Sequence, residues 1–236
     1  MARGRAWSIA FPGLERRTYR SVARAAGVAR VALTTVGGVT AGAAPTKRPG
    51  KAAILRAAVE VMGEDGYEGA SIRDMAARAG VSVAALYYHF PSKLGMLREF
   101  LDDAYDVTLA RIERRLQGVE GAEARLDVVV GTLVWTHLHD EFAQRSSVVA
   151  VREYTRLDPA DRAAIEVKRK ALLDLVEGVV SEGVAARVFS TDEPREVARA
   201  IVTLATTLVG VHQEIDRSLD DITSLYQRFA ADLARG

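Results

Sequence analysis

The chain of 236 residues contains no cysteine, so disulfide staples and thiolate metal sites are excluded, and the sequence fits a reducing compartment. It holds only six prolines, and aromatic residues make up 6% of it. No uncharged run approaches the length needed to span a bilayer; the longest, Val31 to Thr46, is built of Gly, Ala and Thr rather than Leu or Ile. Catalytic signatures are missing as well: there is no HExxH, no phosphate-binding GxxxxGK and no GxSxG. His137, His139, Asp140 and Glu141 cluster, but His137 and His139 are two apart and point away from each other on a helix. A zinc site, any other metal and any cofactor are therefore not expected, and no catalytic residue is assigned.

What is present is apolar residue at helical spacing. Apolar residues reach 49%, and the length allows one large or two modest domains with a substantial core. The net charge of +1 hides an asymmetry. Residues 1–50 hold nine Lys or Arg against the single acid Glu15, a charge of +8. Taking these from the totals of 32 and 31 leaves 23 basic and 30 acidic residues in the remaining 186, a charge of −7. Basic residues beside a nucleic-acid reader favour phosphate contact, whereas the acidic remainder argues against a surface that wraps nucleic acid throughout.

The stretch Ser71 to Lys93, SIRDMAARAGVSVAALYYHFPSK, organises the rest. Ser71 is placed to accept a hydrogen bond from a first-turn amide. Ile72, Met75, Ala76 and Ala79 follow at helical spacing. Gly80 stands where a helix ends in a left-handed residue, and Ser82 is placed to cap a second helix through Phe90. Pro91 stops it. Two short helices across a glycine turn form a helix-turn-helix unit, whose second helix enters the major groove. In that helix Val81, Leu86 and Phe90 face the first helix, while Ser82, Ala84, Tyr87, Tyr88 and His89 lie on the other side. An amphipathic helix with its aromatic rings packed inward satisfies the same spacing, and spacing alone does not decide between the two.

The residues AARAGVSVAALYYHFPSKLGML resemble the helix-turn-helix signature of the TetR family of bacterial one-component repressors, in which AxxAGVSxxxLYxHFxxK is a highly specific run. The match covers roughly Pro49 to Phe100 and extends weakly to the C-terminus. It departs at Gly95, where the family usually carries a helix-favouring residue; glycine there costs about 1 kcal/mol against alanine. The resemblance implies an all-α protein with an N-terminal three-helix DNA-binding domain and a C-terminal helical effector-binding and dimerisation domain. It would bind operator DNA and release it when a small ligand enters the larger domain. Expected DNA contacts are Lys47, Arg48, Ser71, Arg73, Ser82, Val83, Ala84, Tyr87, Tyr88, His89 and Lys93, the last together with the amides that start the next helix.

Along the chain, residues 1–48 read as a disordered basic extension, 49–95 as the DNA-binding domain and 96–236 as the effector and dimerisation domain. For the extension three readings compete: a DNA-tracking arm, a solubilising tail, or residues translated from a start codon set too far upstream. A first helix is expected from Gly50 to Asp65 with Gly66 as its C-cap, and a long helix after Ser92 that physically joins the two domains as a lever. Glu123 to Tyr154 is apolar on more than one side, as expected of helices buried around a cavity. Asp158 and Pro159 open another helix.

The last two helices, Arg195–Asp216 and Asp220–Ala234, carry more apolar width than one core requires, which predicts self-association into a four-helix interface. TetR-like proteins dimerise through their last two helices, and Ile201, Leu204, Leu208, Val211, Ile222, Leu225 and Phe229 are the residues placed there. Such a homodimer presents two reading helices to successive major grooves about 34–36 Å apart and asks for a near-palindromic operator. The resemblance also places Trp135, His137, Phe142, Arg152, Tyr154 and Arg169 on the helices that enclose the effector. VREYTRLDPADRAAIEVKRKALLDLVEGVVSEGVAARVF weakly resembles regulators of fatty-acid or sterol breakdown that answer to acyl-CoA esters, which would set Arg152, Lys168, Arg169 and Lys170 against phosphates. A solvated charged face is the other reading of those cations. The expectation is a cytoplasmic, ligand-responsive DNA-binding regulator with no membrane partner, read as a repressor, an activator not being separable from it by sequence. The alternative is an enzyme or carrier that uses the helical cavity and keeps a vestigial DNA-binding unit.

Overall fold

The structure, a computed structural model, describes residues 50–139, 141–211 and 217–236, the side chains of 209–211 apart. Lys47, Arg48 and the rest of the basic extension lie outside the described residues, as do Asp140, Ile215, Asp216 and the side chains of Val209 and Val211. The described residues are helical throughout, with no strand among them: α1 (Lys51–Gly69), α2 (Ile72–Ala79), α3 (Val83–His89), α4 (Lys93–Leu116), α5 (Ala122–Leu138), α6 (Glu141–Glu153), a 3-10 turn (Tyr154–Arg156), α7 (Pro159–Ala185), α8 (Pro194–Val211) and α9 (Leu219–Arg235).

The helix ends fall where side chains satisfy amides that have no partner inside the helix. Ser71, Ser82, Ser92 and Asp158 accept from the amides of Asp74, Ala85, Gly95 and Asp161. α1 breaks at Gly66, whose φ of 72° and ψ of 167° turn the chain out of the helical region. α2 ends in Gly80 at φ 68°, ψ 33°, with the amide of Val81 returning to the carbonyl of Ala76 at 2.9 Å. The long apolar stretch expected from Glu123 onward divides into α5 and α6 around residues 139–140.

Two cores result. The first gathers Ile54, Met62, Met75, Leu86 and Phe90 from the first three helices with Met96, Leu97, Phe100 and Leu101 of α4, and it also receives Val149, Leu157 and Ile165 from further along the chain. The second joins Ile112 of α4 to Val129, Val130, Leu133 and Val134 of α5, Leu172 and Val176 of α7, and the inner faces of α8 and α9. α4 and α7 each contribute buried residues to both cores, α4 mostly to the first and α7 mostly to the second. Among the described residues no helix is long and apolar enough to cross a membrane.

Candidate nucleic-acid interface

α3 separates its residues by face. Leu86 and Phe90 are buried, fixing the helix on α2 and α1. Tyr88 is 86% exposed and Tyr87 48% exposed, while Val83, Ser82 and Ala84 also face solvent. His89 is half-buried, its ring edge-on to Tyr88 at 5.2 Å. The two tyrosines are thus not core, which decides the question that helical spacing leaves open. Arg73 is exposed on α2. Ser71 and Ser82 are exposed, but each hydroxyl oxygen is engaged in capping its own helix.

Lys93 departs from the expected phosphate contact. Its ammonium donates to the carbonyls of Tyr67 at 2.5 Å and Ala70 at 3.1 Å and sits 4.3 Å from the centre of the Tyr67 ring. The carbonyls left open where the chain leaves α1 are what it satisfies. Its place in the sequence, at the start of a helix, carried no sign of this.

A second group missed in the sequence ties α1 to its neighbours. Glu64 receives Arg78 of α2 at 2.7 Å and Arg145 of α6 at 2.8 Å, and the hydrogen bond from Arg78, helped by both positive charges, holds its carboxyl below the usual glutamate value. One residue back, Gly63 lies so close to α6 that a Cβ there would stand 2.9 Å from Cβ of Arg145. Arg56 stacks on Phe142 at 3.9 Å, and Arg156 pairs with Glu68. These partners are 81 to 88 residues apart, beyond any local pattern.

The six residues placed around an effector do not form one group. Phe142 packs on the first core beside Arg56, making it a contact between α6 and α1. Arg152 and Arg169 are solvent-exposed; Arg169 pairs with Glu166 at 3.0 Å and covers the ring of Tyr154, whose hydroxyl donates to Glu166. Lys170 is likewise exposed and paired with Asp174, and Lys168 is held by Asp102 and Asp106. Lys168, Arg169 and Lys170 are thus each paired with a carboxylate, and Lys168 is half-buried.

Trp135 and His137 are the inward-looking members. Trp135 stacks on His139 at 3.8 Å and carries the Arg111 guanidinium 4.4 Å from its ring centre. Nδ1 of His137 lies 2.7 Å from Oγ of Ser147, which donates to the carbonyl of Ala143. Ser147 therefore accepts from Nδ1–H, leaving Nε2 as a lone-pair site. Burial lowers the His137 pKa to about 4, so the ring is neutral at ordinary pH. A cleft of about 470 Å³ opens elsewhere, between α5 and α9, lined by Glu123, Asp127, Gln227, Arg228 and Arg235 among others, and none of the six residues belongs to it.

The last two helices also need correction. Ile201, Leu208 and Ile222 are fully buried within the single chain, so they have no surface to offer a partner. α8 and α9 each carry two apolar stripes, and periodicity does not say which one faces home. The outer stripes are Leu204, 39% exposed, on α8, and half-buried Leu225 with Phe229, 44% exposed, and Leu233 on α9.

Three helices around a buried core, the third carrying exposed aromatic and small residues on a glycine-turned pair, define a helix-turn-helix DNA-binding protein with a helical companion domain. Residues 54–100 match the family of bacterial regulatory proteins named for tetR, and residues 120–209 match a tetracyclin repressor-like C-terminal domain. The regulator UidR of Escherichia coli (strain K12) is 24% identical over 160 residues, 68% of this chain and 75% of its own. A tetR-family regulatory protein from Rhodococcus RHA1 superposes with a TM-score of 0.70 at 24% identity, covering 80% of this chain and 98% of its own. AibR in complex with isovaleryl coenzyme A and operator DNA superposes with a TM-score of 0.68 at 19% identity, over 78% and 98%. The chain belongs to the TetR family of DNA-binding transcriptional regulators, and it is not an enzyme.

Proposed function

We propose that the protein is a ligand-responsive repressor that binds a near-palindromic operator as a homodimer and leaves it when a small hydrophobic or acyl-CoA-like effector occupies the helical domain. The exposed face of α3 carries this reading: Val83, Ala84, Tyr87 and Tyr88 stand clear of a helix anchored by Leu86 and Phe90. Small residues at the start of α3 admit base edges, and the two phenols with His89 and Arg73 reach phosphates beyond them. Lys47 and Arg48, just ahead of α1, add phosphate contacts. The homodimer forms through the outer stripes, Leu204 on α8 with Leu225, Phe229 and Leu233 on α9, the buried stripes having been spent on the chain's own core.

The effector then acts through α4, which shares packing with both cores, and it shifts the DNA equilibrium only by its difference in affinity for the two states. Kinship with AibR, whose complex holds isovaleryl coenzyme A, supports the acyl-CoA reading.

Gel retardation with the DNA upstream of the protein's own gene tests the reading. Tyr87→Ala is expected to weaken every operator variant by about tenfold with the salt dependence unchanged, since a neutral phenol releases no counterion. Changes at Val83 or Ala84 are expected to alter which base substitutions are tolerated. Equal losses for both classes of variant on all operators would break the division between phosphate and base contacts, and absence of retardation at low salt would remove the repressor reading itself.

A further inference from the structure

The arginines of the described surface are mostly neutralised by neighbouring carboxylates, as Arg78, Arg98, Arg145 and Arg195 illustrate. Arg111 and Arg115, one turn apart on the inward side of α4, are not. Both are half-buried, and each makes one hydrogen bond, from Nη1 to a threonine hydroxyl of α5. Arg111 donates to Thr136 and Arg115 to Thr132, both at 3.1 Å. Those hydroxyls have already given their own hydrogens to the carbonyls of Thr132 and Val128, so they offer only neutral lone pairs. Among the described residues no carboxylate stands within ion-pair distance of either guanidinium. Burial lowers the pKa of both, and the like charges of Arg114 and Arg115 lower that of Arg111 further. A guanidinium has five donors, so most of each fork is unspent. Beside them the Trp135 ring covers Arg111.

We propose that Arg111 and Arg115 anchor the anionic group of the effector, a carboxylate or phosphate borne on an apolar body that lies against Trp135. The inference deepens the regulator reading and rests on it. Two desolvated forks separated by one helical turn suit the paired oxygens of an anion, and such a bond is roughly twice as strong as one to a neutral hydroxyl. The anion replaces Thr132 and Thr136 as acceptor, so α4 loosens from α5 there. An effector of equal shape without charge lacks this exchange.

The sequence holds two tryptophans, Trp7 and Trp135, and Trp7→Phe leaves Trp135 as the sole tryptophan of the full chain, excited selectively beyond tyrosine absorption. Octanoate, octanoyl-CoA and methyl octanoate are titrated against it, with retention of an operator fragment followed in parallel. The anion with the right source of charge is expected to shift the emission at least about tenfold more tightly than the ester, octanoate marking a carboxylate site and octanoyl-CoA a phosphate site. Arg111→Gln with Arg115→Gln is expected to weaken that anion by at least about tenfold, Arg111→Lys by less, and exposed Arg114→Gln by under about threefold. Thermal melting reports whether the double variant is folded; the acid–ester comparison on the unsubstituted pair needs no variant. Equal binding of ester and acid, undiminished anion binding by the folded double variant, or no response to either anion would each overturn the proposal. Anion binding without operator retention would instead leave the site standing and defeat the regulator reading.

Discussion

The two halves of α4 are held in opposite ways. Its first half contributes Met96, Leu97, Phe100 and Leu101 to the first core and is clasped by α7 through charge: Arg98 meets Asp161 at 3.3 Å, and Lys168 lies 2.6 Å from Asp102 and 2.8 Å from Asp106. Its second half buries Thr108 and Ile112, packs Tyr105, Leu109 and Leu116 on the second core, and meets α5 through two threonine hydroxyls that face uncompensated guanidiniums. The first half is thus fixed by packing and compensated ion pairs, the second by packing and by hydrogen bonds from cations that lack a carboxylate partner.

The contrast can be broken by substitution. Leu97→Ala, fully buried in the first half, is expected to cost about 2–5 kcal/mol in denaturant unfolding, against about 0.5–1.5 kcal/mol for Ile112→Val in the second. Comparable small losses at both would mean the first half is not fixed by its core. Next in size is a pH effect from His137, beside the second half. Its folded pKa is about 4 against 6.5 unfolded, so the unfolded chain takes up a proton that the native one refuses. Stability from the neutral ring is complete above pH 6.5 and is lost as pH falls toward about 4, by roughly 3 kcal/mol. Melting temperatures across that range should fall less steeply in His137→Gln; parallel slopes would dismiss the ring as the cause.

Smaller still is the clasp. Burial opposes the charge of Lys168, but the hydrogen bonds of Asp102 and Asp106 outweigh it and keep the ammonium above the usual lysine value. Because all three side chains remain partly solvated, Lys168→Met is expected to cost only about 1 kcal/mol, and more at low salt than at high. A loss insensitive to salt would assign the effect to packing. Comparable in size, Thr136→Val should cost about 1 kcal/mol, since it removes the hydroxyl's bond to the Thr132 carbonyl and the acceptor of the partly solvated Arg111 guanidinium.

Local chemistry made much of this legible in advance. The capping serines, Asp158 before Pro159 and the left-handed Gly80 each act within a few residues, so Ser71, Ser82, Ser92 and Asp158 cap where the sequence placed them. The reading face of α3 was legible once Leu86 and Phe90 were assigned to the core. Features that depend on distant partners were not. Ile201 and Leu208 look the same in a periodic pattern whether they face their own chain or a second copy. Lys93 gave no hint that it would close the open end of α1 rather than face outward. Arg111 and Arg115 stood out in no pattern of the sequence, and only the threonines arriving from α5 reveal them as half-buried and without a carboxylate. Glu64 binds Arg145 across 81 residues, a pairing no spacing rule contains.

Gly63 sets the tolerance of the joint between reader and body. With no side chain there, α1 runs against the Cβ of Arg145 with no cushion between them, so a displacement of α6 has no slack in which to dissipate. A methyl group at that point would act as a spacer and set the reader at a new angle before any effector arrived. A missing side chain thereby fixes how closely α1 and α6 approach.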